Sequence, residues 1–435
     1  MTKVKGRNEL SRRGFLASAA TAALLGAAKA ALPFGAPAAG AAGPETTRAV
    51  LGYIALTDAA PLIIAKEKGL YAKYGMPDVQ VAKQASWGTT RDNLVLGSQG
   101  NGIDGAHILT PMPYLMAAGA VTQNNIPQPM QILARLNLDG QGISLSSAYA
   151  NLKVGLDASL LRDAFTEARA AGRPAKVAMT FPGGTHDLWL RYWLAAGGID
   201  PDHEVETIVV PPPQMVANMK VGTMDALCVG EPWNEQLIHQ HAGYSALTTG
   251  EIWNNHPEKS LAMRADWVEK HPNAAKALLM AVMEAQIWCD DAANHGEMAR
   301  IVSQRAWFKV PEKDIIQRIK GHFDYGTGKV VDNSPHVMKF WRDHASYPFR
   351  SHDLWFLTED IRWGYLSAET DTRKLIDAVN REDMWRAAAR DLGIAAADIP
   401  ASTSRGVETF FDGKRFDPDK PADYLASLSI KRAAA

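Results

Sequence analysis

Two stretches of this chain end alike, and the likeness constrains the fold more than any other feature. Ile103-Asp104-Gly105-Ala106 and Met224-Asp225-Ala226-Leu227 each follow a glycine turn and each close a run of alternating strand-like and helix-like segments. In the first run a strand is expected over 50–56, a break at Thr57-Asp58, a helix over 61–68 ending at Gly69, and a strand over 79–81. A loop carrying Trp87 and a helix from about residue 90 follow. In the second run a strand over 177–181 leads to a helix over 186–196, a strand over 206–210, a loop at Pro211-Pro212-Pro213 and a helix over 214–221. Strands alternating with helices imply parallel sheets flanked by helices. Two such units in succession suggest an α/β protein of two lobes with a cleft between them. One large α/β domain is the alternative, but about 390 residues after a leader exceed what a single core usually organises. Ligands of open α/β sheets collect at the carboxyl ends of strands, where the loops with Trp87, His186 and Pro212 are expected.

The turn between the strand and the helix of the second run, Phe181-Pro182-Gly183-Gly184-Thr185-His186, has a chemistry of its own. The first N–H groups of a helix have no partner within it, and the helix dipole adds partial positive charge there. Small anions bind at such places. His186 falls in that first turn and would add two ring donors if protonated. The plainer reading is a strand–helix loop whose glycines only turn the chain.

The first forty-odd residues read as an address. Ser11-Arg12-Arg13-Gly14-Phe15-Leu16 is a twin-arginine signature, followed by a weakly apolar, Ala-rich run and small-residue stretches up to Ala42. Lys29 and Pro33 interrupt that run, so a membrane anchor is disfavoured, and no cysteine near the cleavage region offers a lipid attachment point. Residues 1–42 are therefore expected to be a cleaved export signal, delivering a protein to the periplasm with no membrane insertion of its own. The chain has 46 Lys and Arg against 47 Asp and Glu; residues 1–42 hold six and one of these, which leaves 40 against 46 and a formal charge of −6. That balance argues against nucleic acid as a partner, and an anionic ligand would need a local site. Cys228 and Cys289 both fall in apolar patterns and read as core residues, not as a disulfide.

Beyond residue 290 the chain turns to helical periodicity rich in Trp and Tyr, with a second His-Asp-Leu-Trp at 352–355 that has no glycine turn before it and reads as packing. The stretch after Ile399 looks like an irregular surface strap. There is no Gly-x-Ser-x-Gly elbow, no His-Glu-x-x-His or Cys-x-x-Cys spacing and no dinucleotide fingerprint. Gly326-Thr327-Gly328-Lys329 is similar to the end of a phosphate loop, but Phe323 stands where its first glycine belongs. No enzyme activity, cofactor or metal is indicated, and the pattern suits a binding protein better.

Long stretches resemble the periplasmic nitrate-binding proteins of ABC-type nitrate importers and their bicarbonate-binding relatives. They include residues 55–68, 83–93, 103–113, 181–201, 209–219, Val229-Gly-Glu-Pro-Trp233, His256-Pro-Glu-Lys259 and 402–411, so the resemblance covers nearly all of 48–430. It implies a type II periplasmic binding protein, two-lobed with a hinged cleft, here with an extra helical C-terminal segment. It implies a first part of lobe I over 46–148, lobe II over 149–252, and lobe I completed over 253–435. Hinge strands are expected near 145–155 and 250–262. The implied partners are nitrate, nitrite as co-ligand, and the ABC permease of the inner membrane.

The resemblance also assigns ligand contacts to Trp87, Gln141, His186 and Lys259, with Gly184, Thr185 and Pro212 as walls or backbone donors. The chemistry agrees. Nitrate offers three acceptor oxygens and no donor, so its site should supply donors and positive charge and avoid carboxylates facing the ligand. Taken singly, Trp87 could be one of twelve core or surface tryptophans and Lys259 an ordinary solvated lysine. Bicarbonate carries an O–H donor and would be favoured if Glu258, beside Lys259, turned its side chain inward. A nitrate sensor acting on assimilation genes is a further reading, which the export signal opposes. An enzyme of the kind that makes the thiamine pyrimidine on this fold is another, but its catalytic cysteine or metal cluster is not evident.

Overall fold

The computed structural model describes residues 43–431; the expected export signal lies outside them. Within them the two repeated aspartates do the same work. Asp104 accepts the N–H of Val50 on its side chain at 2.9 Å and gives its own N–H to the Val50 carbonyl at 2.8 Å. Asp225 does so with Lys176 at 2.8 and 2.8 Å. Each aspartate thus ties the entry of the third strand of its unit to the start of the first.

The first sheet contains β1 (Val50–Tyr53), β2 (Gln80–Lys83), β3 (Gly105–Leu109), β4 (Met130–Arg135) and β10 (Lys259–Arg264), in the order β2-β1-β3-β10-β4. The second contains β5 (Gln141–Ser146), β6 (Lys176–Met179), β7 (Glu206–Val209), β8 (Ala226–Gly230) and β9 (Gly243–Thr248), in the order β7-β6-β8-β5-β9. The orders correspond strand for strand. Three strands in each are parallel, as expected from the alternation with helices. One strand in each sheet does not follow that expectation. β10 runs antiparallel to β3 and β4, and β5 runs antiparallel to β8 and β9. The cause is connectivity: β5 and β10 enter their sheets from the other lobe, not through a helical crossover. The molecule is accordingly a two-lobed α/β protein.

The chain crosses between sheets at 136–140 and at 249–258. The second crossing overlaps the hinge expected at 250–262. The first does not match 145–155, because residues up to Ser146 are already paired in the second sheet and 147–152 form a 3-10 turn beyond it. An unbroken apolar strand gives no signal of which sheet it joins.

Aromatic packing holds the crossing in place. Trp189 stacks on Trp355 at 5.0 Å and meets the His256 ring at 4.5 Å, while Trp253 lies edge-on to Trp355 at 5.1 Å. These rings belong to the helix Thr185–Ala196, the second crossing and the helix Arg350–Arg362. The strap after 399 is laid over the same crossing: Trp253 donates to Glu408 at 2.9 Å and Arg405 to the Asn255 carbonyl at 2.6 Å. In the second His-Asp pair, Asp353 is buried and pairs with Arg135, so the packing reading of that motif holds. Both cysteines are buried and free. Among the described residues no helix is long and apolar enough to cross a membrane.

Candidate functional site

Six of the seven residues singled out in the sequence are brought together where the carboxyl ends of the two sheets' strands face each other. Gln141 opens β5 and Lys259 opens β10, directly after the two crossings. Gly184 caps the helix Thr185–Ala196, in which Thr185 and His186 are the first residues. Trp87 is not in a loop. It begins the helix Trp87–Leu96, because Ser86 accepts the Thr89 N–H at 3.1 Å and so starts that helix ahead of the expected position. Pro212 is buried in the 3-10 turn Pro212–Gln214 after β7 and stays outside the hydrogen-bonded cluster.

Lys259 is the centre of the cluster and is fully buried. Its ammonium donates to Glu258 Oε1 at 2.8 Å and to Asp58 Oδ2 at 3.0 Å, and lies 5.9 Å from the centre of the Trp87 ring. Burial alone would depress its pKa, but the two carboxylates outweigh burial and raise it, so Lys259 is charged. Asp58 sits in the 3-10 turn after β1 and also accepts from Gln141 Nε2 at 3.0 Å and pairs with His107 Nε2 at 2.6 Å. Burial disfavours its charge, yet Lys259 and His107 overcome this and hold its carboxyl below the usual range.

Asp58 also sets the neighbouring hydrogens. With its amide nitrogen committed to Asp58, Gln141 must present Oε1 to His186 Nε2, 2.7 Å away. That oxygen can only accept, so His186 carries its proton on Nε2, and Nδ1 accepts from Thr180 Oγ1 at 2.6 Å. Burial, with the charge of Lys259 3.5 Å away, holds the His186 pKa well below the ordinary value. The doubly protonated His186 considered from the sequence is therefore replaced by a neutral ring.

Glu258 does turn inward. It is fully buried; Oε1 is shared by Lys259 and Thr185 Oγ1, and Oε2 accepts from Trp189 Nε1 at 2.8 Å. Burial raises its pKa, with Lys259, Thr185 and Trp189 pulling the other way. Trp87 Nε1 in the cluster is a buried donor with no hydrogen-bond partner. A buried N–H without an acceptor costs about 1–3 kcal/mol, which an acceptor ligand would recover.

Residues of both sheets thus meet in one buried cluster, and the backbone closes around it. Thr57 N–H bonds the Glu231 carbonyl at 2.7 Å, and Trp233 Nε1 bonds the Ala55 carbonyl at 2.9 Å. A Cβ on Gly184 would come within 2.6 Å of Leu109 Cδ1 on β3, so this glycine lets the second lobe approach the first. Asp58, His107 and Trp189 were not singled out in the sequence. The signal for Asp58 was its place, just after β1 at the strand ends where ligands collect; His107 sits mid-strand in β3 and gave no such signal.

Residues 42–303 match the model of the NMT1-like family. The chain belongs to this family, among its nitrate/bicarbonate-binding proteins. It is 63% identical over 393 residues to the nitrate/nitrite binding protein NrtA of Synechocystis sp., covering 90% of this chain and 87% of that one. The crystal structure of that periplasmic nitrate-binding protein superposes with a TM-score of 0.88 over 89% of this chain and all of the other. The bicarbonate-binding protein CmpA of Synechococcus sp. is 47% identical over 405 residues, covering 91% and 90%. The nitrate import ATP-binding protein NrtC of Synechocystis sp. is 34% identical over 398 residues, which span 91% of this chain and 57% of that protein.

Proposed function

We propose that this chain is the extracytoplasmic solute-binding component of an ABC importer, and that it binds nitrate, with nitrite as co-ligand, between its lobes. The observation that carries the reading is the buried cluster itself: a charged Lys259 and an unpartnered Trp87 N–H, both inside a site shared by the two sheets. A small anion with three acceptor oxygens answers both. Trp87, Gln141, His186, Lys259 and Thr185 are its contacts, Gly184 allows the lobes to close, and Pro212 is a wall at the edge. Identity supports nitrate over bicarbonate, being 63% to the nitrate/nitrite binding protein against 47% to the bicarbonate-binding one. The ATP-binding relative supports a role in import, with an ABC permease as partner. We take lobe I as the first sheet with the C-terminal segment and lobe II as the second sheet, hinged at 136–140 and 249–258. Export by the twin-arginine signal in 1–42 places the protein in the periplasm and opposes a sensor role.

The inward Glu258 favours bicarbonate as the second reading, since an ionised carboxylate would accept its O–H. Calorimetric titration of the chain lacking 1–42 with nitrate, nitrite and bicarbonate separates the two. Saturable nitrate and nitrite heats tighter than bicarbonate are expected; bicarbonate binding alone would reverse the assignment.

A further inference from the structure

Charge does not balance in the cluster as it stands. Asp58 and Glu258 are two carboxyls around a single ammonium, all three fully buried. The other charged groups near Glu258 bring no spare positive charge. His186, 3.6 Å from Oε1, is neutral. His256, 3.7 Å from Oε2, gives its Nδ1 hydrogen to the Pro257 carbonyl and is neutral as well, its pKa depressed by burial to about 3. His107 is held by Asp58, and its pKa is lowered by burial. Asp187 is paired with Arg191 at 2.9 Å and Asp139 with Lys339 at 3.6 Å. The Cys228 thiol, its pKa pushed up by burial, stays neutral. With both carboxyls ionised, a monoanion that has no donor of its own would meet the Glu258 carboxylate oxygen against oxygen in a buried site that is already net negative, and buried charges without a hydrogen-bond partner are costly.

We propose that Glu258 takes up one proton from solvent when nitrate binds, whereas bicarbonate, which brings its own hydroxyl hydrogen, binds to the ionised Glu258 with no proton uptake. This rests on the anion-binding reading above and makes Glu258 the residue that tells a ligand without a donor from one with a donor. Hydrogen-bond geometry supplies the route. In the present arrangement the Thr185 hydroxyl donates to Glu258 Oε1. A proton on Oε1 reverses that bond: Glu258 donates to Thr185 Oγ1, and the Thr185 hydrogen is released towards a ligand oxygen. The change thus removes one negative charge and provides one further donor.

The test is calorimetry on the chain lacking 1–42, with nitrate at pH 8 in buffers of different ionisation enthalpy, and with Kd measured from pH 7 to 9. For the wild type the expected result is an uptake approaching one proton per nitrate, and a Kd that weakens by up to about tenfold per pH unit above the Glu258 pKa. Bicarbonate at pH 8 should show no uptake. Glu258→Gln keeps the neutral shape, so the proton uptake that accompanies nitrate should vanish and nitrate binding at pH 9 should be tighter than in the wild type. Saturable nitrate heat with no proton uptake in the wild type overturns this inference and leaves anion binding standing. Uptake that persists in Glu258→Gln also overturns it, since the proton would then reside elsewhere. No saturable nitrate heat in any buffer brings down both readings together.

Discussion

Lys259 has the largest single effect expected of any side chain, because it is the one group in the cluster whose charge attracts an anion. Replacing it with Gln removes that charge and should weaken nitrate binding by about 1.5–3 kcal/mol, the range for a hydrogen bond to a charged group. Lys259→Glu should nearly abolish binding, since three carboxylates would then surround a ligand that cannot donate. Titration of both variants checks this, and a Lys259→Glu protein that binds nitrate like the wild type would place the lysine outside the site. At this scale the sequence was legible for donors. Trp87, Gln141, His186, Thr185 and Lys259 all lie in the cluster or at its edge. It was not legible for Asp58, because counting the donors an anion needs gives no reason to expect an acid among them. Asp58 acts one step removed: it holds Lys259, Gln141 and His107, and through Gln141 it sets the tautomer of His186. The same donor counting considered His186 charged, whereas burial and Lys259 keep it neutral.

Among the elements, the glycine turn before the helix Thr185–Ala196 is where sequence, packing and binding meet most directly. Gly184 caps that helix at φ −83°, ψ 169°, a conformation open to any residue, so its need for glycine comes from space and not from backbone strain. An added methyl would stand 2.6 Å from Leu109 Cδ1 and 3.1 Å from the Phe181 carbonyl oxygen. Leu109 belongs to the other lobe, so the clash exists mainly when the lobes are closed. Gly184→Ala should therefore cost about 1–3 kcal/mol of the closed form, which reads as an affinity for nitrate lowered by about five- to 150-fold. Thermal melting of the ligand-free protein should change far less. Equal losses in melting temperature and affinity would mean that the methyl disturbs the lobe itself. The turn was legible as a turn from Pro182-Gly183-Gly184, but what it turned against was not, because Leu109 lies 75 positions away in the sequence. The repeated aspartates were legible as a repeat, and only the structure revealed that each anchors the first strand of its own repeated unit.

For the whole molecule, the duplicated unit carried the two-lobed architecture, while the crossings between lobes and the strap laid over them lacked any periodic signal. The first crossing contains a group through which pH should reach the fold. Asp139 adopts a left-handed conformation at φ 56°, is fully buried, and accepts the His256 N–H from the second crossing at 3.2 Å. Its other oxygen has no hydrogen-bond partner, and Lys339 Nζ lies 3.6 Å away. Burial raises its pKa from 3.8 to about 7, with Lys339, the His256 N–H and Arg405 opposing. A carboxyl raised on folding binds its proton more tightly in the native state, so its contribution is fully present below the unfolded value, near pH 4, and is lost as pH rises through about 7. The wild type should accordingly lose stability between pH 5 and pH 8 through this group, by on the order of a few kcal/mol. Asp139→Asn keeps a residue at ease in the left-handed region and removes the titration. Its denaturant midpoint should change less than that of the wild type between pH 5 and pH 8, so that the variant gains on the wild type at the higher pH. Parallel curves for the two proteins across that window would mean that Asp139 does not titrate there, and that Lys339 keeps it ionised throughout.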